Sequence, residues 1–215
     1  MKTDDLIALI ATNAGPVAPR SSIRHYAPPL GAGVVGSTLV MLLALNLGFR
    51  PDMAQAILLP MFWIKLAFPL VTAALAFALV CRLARPGTPL GIWPAAVVLP
   101  TLAIWILAAQ SLVRTGEAPA AELIRGSSWA VCTFYITVIS LPSFAAALWA
   151  MKGMAPTRLG LSGAAAGLLA GAMGAAVYAL HCTEMEPVFL GAWYLLGMLV
   201  PAGLGALVGR WILRW

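Results

Sequence analysis

The most reactive stretch of this 215-residue chain is His181-Cys182-Thr183-Glu184-Met185-Glu186-Pro187. It gathers an imidazole, a thiol and two carboxylates at the end of an apolar run. A second thiol, Cys132, lies near the start of the preceding apolar run, and Cys81 near the end of an earlier one. Two thiols at one level on an oxidising face can close a disulfide. They can also hold a soft metal, with His181 and Glu184 or Glu186 completing the ligand set. Thiolate plus imidazole suits zinc, copper or cadmium. A third reading gives them no chemistry, with Cys132 a small buried hydrophobe and His181 an interfacial side chain. The residues alone leave these three readings open.

Lys65 is the other candidate, an intramembrane polar residue between Pro60 and Pro69. A charge inside an apolar run is functional by default. The structural alternative is that its ammonium satisfies carbonyls freed by the prolines, its stem snorkelling part of the way to the interface. No Asp or Glu stands mid-run to pair with it, which weakens a proton-coupled transport reading. Asp occurs only at positions 4, 5 and 52, so no convincing Ser/His/Asp arrangement exists, and no catalytic residue is assigned.

The elements that must position these groups follow from composition. Hydrophobic residues make up 62% of the chain and charged residues 9%. Soluble domains carry roughly 25% charged residues, so a soluble globular enzyme is excluded. The apolar residues fall in continuous runs of about 20, the length that crosses a bilayer as helix, and do not alternate as barrel strands do. The expected fold is all-α: a polytopic membrane protein of six transmembrane helices in three antiparallel hairpins. The spans are expected near residues 30–49, 56–80, 92–113, 127–150, 159–181 and 188–213. Cys132 and Cys182 then share one membrane level, provided the fourth and fifth spans pack side by side.

Basic residues set the orientation. With the N-terminus inside, Lys2, Arg20, Arg24, Arg82, Arg85, Lys152, Arg158, Arg210 and Arg214 are cytoplasmic, against Arg50, Arg114 and Arg125 outside. Both termini are therefore expected in the cytoplasm. The net charge of +6 reports this topology and not nucleic-acid binding, since no block of like charges exists. No cleavable signal peptide is expected, because the opening is acidic and the first apolar run starts near residue 30.

Residues 1–27 form the expected cytoplasmic segment, with residues 28–215 as the membrane domain. Thr3 can cap a short helix with Asp4 and Asp5 in its first turn and Leu6, Ile7 and Ile10 on one face. Gly15 and Pro16 should stop it, and Pro28 and Pro29 should end the polar stretch that follows. In the fifth span, Gly163, Gly167 and Gly171 recur at four-residue spacing, which permits close helix packing inside the bundle or against a second copy. Two inner turns echo one another: Arg85-Pro86-Gly87-Thr88-Pro89-Leu90-Gly91 and Ala155-Pro156-Thr157-Arg158-Leu159-Gly160. Shared turn chemistry explains the echo without a duplication. Trp129, Trp149, Trp193, Trp211 and Trp215 sit near span ends, as an aromatic belt requires.

Four stretches carry a family resemblance: MKTDDLIALIATNAGPV at the start, RLARPGTPL at 82–90, LPSFAAALWAMKGMAPTR at 141–158 and GLLAGAMGAAVYALHCTEMEPVFLGAWYLLGM at 167–198. Together they resemble the NrsF-type family, membrane anti-sigma factors named as negative regulators of sigma F. The resemblance spans most of the chain and all six apolar runs. It implies a multi-pass protein of the bacterial inner membrane that holds an extracytoplasmic-function sigma factor inactive. The sigma-binding part would be the N-terminal segment, with Asp4, Asp5, Leu6, Ile7 and Ile10 presented to a groove on the partner. Cys132 and Cys182 would be the sensing element, and joining them would shift the fourth span against the fifth. No cofactor is required; a soft metal ion is a candidate signal. Thr133 departs from the family, in which a proline is expected after the first cysteine. The competing classes are a small membrane transporter, which needs a polar path at mid-membrane, and a membrane thiol-redox protein, which needs a second thiol pair.

Overall fold

A computed structural model describes residues 3–13, 22–115, 120–154 and 156–214, and every regular element among them is helical. Helix α1 (Thr3–Asn13) precedes the first span. Helix α2 (Ser22–Leu39) carries that span and ends in a π-turn over Val40–Ala44. Short helices α3 (Met53–Ala56) and α5 (Trp93–Ala96) lead into α4 (Pro60–Leu83) and α6 (Leu99–Thr115). Helix α7 (Ala120–Arg125) turns through Gly126 into α8 (Trp129–Lys152). Helix α9 (Leu159–Tyr178) is followed by α10 (Pro187–Phe189), which runs through a second π-turn, Leu190–Tyr194, into α11 (Leu195–Ile212).

Six helical stretches are long and apolar enough to cross a membrane: Tyr26–Ala44, Pro60–Leu83, Trp93–Arg114, Ala121–Lys152, Leu159–Tyr178 and Pro187–Ile212. They fall on the six expected runs with ends moved by a few residues. Large apolar side chains on their outer faces, such as Leu43, Val113, Phe134 and Trp211, are largely exposed. Such a surface is untenable in water and needs no explanation in hydrocarbon.

One expected boundary is wrong. Pro28 and Pro29 lie inside α2 and do not end the preceding segment. Their missing N–H groups deprive the Arg24 and His25 carbonyls of helical donors. The helix persists because Tyr26 is buried and meets Phe77 of α4 edge-on, with ring centroids 5.8 Å apart. Tertiary packing overrides the local preference of the prolines. At the N-terminus, α1 is helical as expected, with Asp4, Asp5 and Ile7 exposed. The side chains of Leu6 and Ile10, the Gly15-Pro16 stop and Trp215 lie outside the described residues.

The fifth span is the hub. Helix α9 packs against α4, α8 and α11, while α2 packs mainly against α8 and touches its chain neighbour α4 where Tyr26 meets Phe77. Among consecutive spans, α8 packs on α9 and, most closely, α9 on α11. Small residues allow that closeness. A Cβ on Gly163 would lie 2.0 Å from the Gly205 carbonyl oxygen, and one on Gly167 2.1 Å from that of Pro201. Gly171 faces Met198 in the same way. The glycine stripe is therefore spent inside the chain, on α11, where main chain lies directly on main chain.

Candidate functional site: the loop after the fifth span

Residues 180–186 leave α9 and tie together one end of the bundle. The first span reaches this loop through its unwound tail: Arg50 N donates to the Leu180 carbonyl at 3.0 Å. His181 Nδ1 lies 2.7 Å from the Gly48 carbonyl oxygen, so Nδ1 carries the proton in this bond. From the second span, Lys65 Nζ donates to the Cys182 carbonyl at 2.6 Å and to the Glu184 carbonyl at 2.7 Å. From the third, Ser111 Oγ donates to Glu186 Oε2 at 3.0 Å. At the start of the fourth, the Glu184 carboxylate accepts from Ser127 N at 2.7 Å and from Ser127 Oγ at 2.5 Å. Gly126 makes room for that carboxylate: its φ is +54°, and a Cβ there would stand 2.9 Å from Glu184 Oε2.

Lys65 is completely buried, and its ammonium also lies 5.5 Å from the centroid of the Tyr194 ring. The expectation that it serves carbonyls freed by prolines in its own helix is corrected. Its partners are carbonyls of a distant loop, which has no helical donors of its own. Among the described residues no carboxylate pairs with it; the ion pair at this end is Arg50 with Asp52. That pair is bidentate, at 2.8 Å from Arg50 Nε to Asp52 Oδ1 and 2.7 Å from Nη2 to Oδ2. The guanidinium holds the Asp52 carboxyl below the usual aspartate range, and the carboxylate in turn raises Arg50. Arg50 is buried.

Both candidate thiols are free, buried and members of one apolar cluster with Tyr178 and Tyr194. A cavity of about 310 Å³ reaches Cys182, walled also by Gly48, Arg50, Tyr178 and His181. Arg50, one of the lining residues, also buries its Nη1 without a hydrogen-bond partner. Cys132 has no exposure and does not line this cavity. Cys81 is remote, near the other end of α4.

The five residues grouped by sequence as a thiol or metal site thus separate into two jobs. Cys132 and Cys182 share the apolar cluster. His181, Glu184 and Glu186 are hydrogen-bonded to the first, fourth and third spans. Among the described residues no three His, Cys, Asp or Glu side chains converge to hold a metal ion. Sequence reasoning missed Tyr178, Tyr194, Ser127 and Arg50. Only Arg50 left a signal, the Arg50-Pro51-Asp52 spacing that lets a guanidinium reach a carboxylate two residues on.

This geometry defines an all-helical protein with six membrane-length helices, closed at one end by a buried lysine and carrying two buried thiols. The chain belongs to the NrsF family: the family profile described as "Negative regulator of sigma F" matches residues 10–215. It is 47% identical to "Probable anti-sigma-F factor NrsF" of Azospira oryzae over 215 residues, covering 100% of both chains. It is 41% identical to "Anti-sigma-F factor NrsF" of Caulobacter vibrioides over 217 residues, again covering 100% of both. No solved structure matches it. The family's role is regulatory and not enzymatic, as the resemblance implied.

Proposed function

We propose that this protein is a multi-pass anti-sigma factor of the bacterial inner membrane. Residues 1–27 hold an extracytoplasmic-function sigma factor at the cytoplasmic face, and a change at Cys132 and Cys182 on the opposite face releases it. Both termini are cytoplasmic in this reading, on the distribution of basic residues. Binding rests on α1, whose exposed Ile7 and first-turn Asp4 and Asp5 suit a helix-in-groove contact with Leu6 and Ile10. A segment this short gains its full order on the partner.

The observation that carries the sensing reading is the pairing of two buried thiols with a cavity that reaches one of them. Hydrogen peroxide entering there takes two electrons from the thiols. One S–S bond forms, the O–O bond breaks, and the two thiol protons leave in two waters. A disulfide requires Cβ atoms about 3.8 Å apart. Any displacement of the Cys182 backbone on closing it is felt at Lys65, which is hydrogen-bonded to that backbone. Strain at Cys182 therefore reaches the second span directly and the fourth through Glu184 and Ser127. A soft cation can act on the same pair as a two-thiolate ligand, which suits copper(I) or cadmium better than four-coordinate zinc. Either signal works only as far as it favours one helix packing over another.

The test is co-purification in detergent with the cognate sigma factor, comparing the intact chain with one lacking residues 2–26. Retention by the intact chain and loss on truncation is the expected result. Retention by both would remove the N-terminal segment from the binding role, and retention by neither would sink the anti-sigma reading.

A further inference from the structure

The two echoing turns meet at the other end of the bundle. Residues after α4 and residues before α9 together wall a cavity of about 270 Å³. Arg82, Arg85 and Arg158 contribute to it with Thr88 and Thr157, and no acidic residue lines it. Three guanidiniums around one small volume create a strongly positive field. The wall is also ordered. Arg82 Nη1 donates to the Pro89 carbonyl at 3.1 Å, and its guanidinium lies 5.2 Å from the centre of the Trp93 ring. Thr88 Oγ1 lies 2.6 Å from the Arg82 carbonyl and 2.7 Å from that of Arg85, which pins the turn around Gly87.

We propose that this cavity binds the phosphate of an anionic phospholipid headgroup. Guanidinium forks match phosphate oxygens in pairs, and a phosphodiester fits the volume. Position favours a lipid over an acidic segment of a partner protein. The cavity lies where membrane-length helices end, the level of headgroups, beside a tryptophan and the exposed Ile92. Further along, α4 and α6 are parted by an apolar groove of about 230 Å³, lined by Ile64, Phe68, Val71, Pro100, Ile104 and Leu107. That groove suits an acyl chain and offers nothing to a soluble partner. The shared turn chemistry of the two echoes then has a use, since each supplies a Thr and at least one Arg to one ligand. This proposal stands independently of the sigma-binding reading.

The experiment is native mass spectrometry and thermal unfolding of the full-length protein in detergent. Phosphatidylglycerol, phosphatidylcholine and inorganic phosphate are added separately. Phosphatidylglycerol should be retained at least tenfold better than phosphatidylcholine and should raise the Tm, and R85Q/R158Q should lose both effects. The single variant R158Q, with a several-fold loss of retention, serves if the double variant unfolds. Equal retention of the two lipids, an equal Tm shift from phosphate alone, or unchanged retention in both variants would overturn the proposal. So would loss of sigma-factor co-purification by R158Q with lipid retention intact, which would make the cavity a protein-binding site.

Discussion

Lys65 Nζ lies 2.6 Å from the carbonyl oxygen of Cys182, so a buried cation in the second span grips the main chain of the thiol that ends the fifth. Burying an ammonium is costly, and this one is offset by carbonyl dipoles and a ring face where a carboxylate would be the usual partner. The arrangement ties the second span to the loop that follows the fifth.

Lys65→Met keeps the stem volume and removes the donor. Two buried carbonyls then lose their partner, at about 1–3 kcal/mol each. The Tm in detergent should fall by roughly 4–24 °C, given about 2–4 °C per kcal/mol at this chain length. Alkylation of Cys182 by a maleimide should quicken in the same variant. An unchanged Tm with unchanged alkylation would show that the grip contributes nothing.

The α9–α11 contact predicts a sharp contrast among glycines. Gly163→Ala and Gly167→Ala each drive a methyl into a carbonyl of the facing helix and should destabilise by about 3 kcal/mol or more. Gly203→Ala, on α11, meets nothing within 4 Å. It should be neutral or raise stability by about 0.5–1 kcal/mol through reduced backbone entropy. Equal tolerance of all three, read as folded yield by size-exclusion chromatography, would refute the main-chain contact.

Acid should loosen the tail of the first span. Asp52 is held below the ordinary aspartate range by Arg50, so the folded state takes up this proton less readily than the unfolded chain. The pair's contribution is complete above about pH 4. It disappears as pH falls through the lowered folded value. Hydrogen exchange of the amides from Asn46 to Asp52, corrected for intrinsic rate, should accelerate in that acid window. In Asp52→Asn it should already be fast at neutral pH.

The thiol pair predicts that either single variant, Cys132→Ser or Cys182→Ser, abolishes the response of a sigma-dependent reporter to peroxide. A bridge needs both sulfurs. In the purified protein, peroxide should protect two of the three cysteines from a mass-tagged maleimide, leaving Cys81 reactive. A full response by both single variants would exclude the pair as sensor.

Much of this was legible in the sequence because hydrocarbon imposes a simple code. Runs of about 20 apolar residues marked all six spans, and glycine spacing marked the face of α9 that touches another helix. The start of the first span was not legible: Pro28 and Pro29 read locally as a stop, and only the burial of Tyr26 against Phe77 reverses that. Nor could the His181–Glu186 stretch be resolved by residue type. Imidazole and carboxylate oxygens bind metals and backbone donors alike, and the choice depends on where Gly48, Ser111 and Ser127 arrive. Those three residues come from three other spans, so no local pattern announces them.

The packing of α2 on α8 has a consequence for biosynthesis. Ser37 Oγ and Ser143 Oγ are 2.9 Å apart in space and 106 residues apart in sequence. The first helix thus enters the bilayer long before its partner has been translated. Its serine and the main chain of its tail wait without their final contacts until the fourth and fifth helices emerge. The bundle cannot mature hairpin by hairpin as it leaves the ribosome. It assembles late and around its fifth helix: a nascent chain stalled before residue 159 holds α4 and α8 but lacks both α9 and the α11 on which α9 packs.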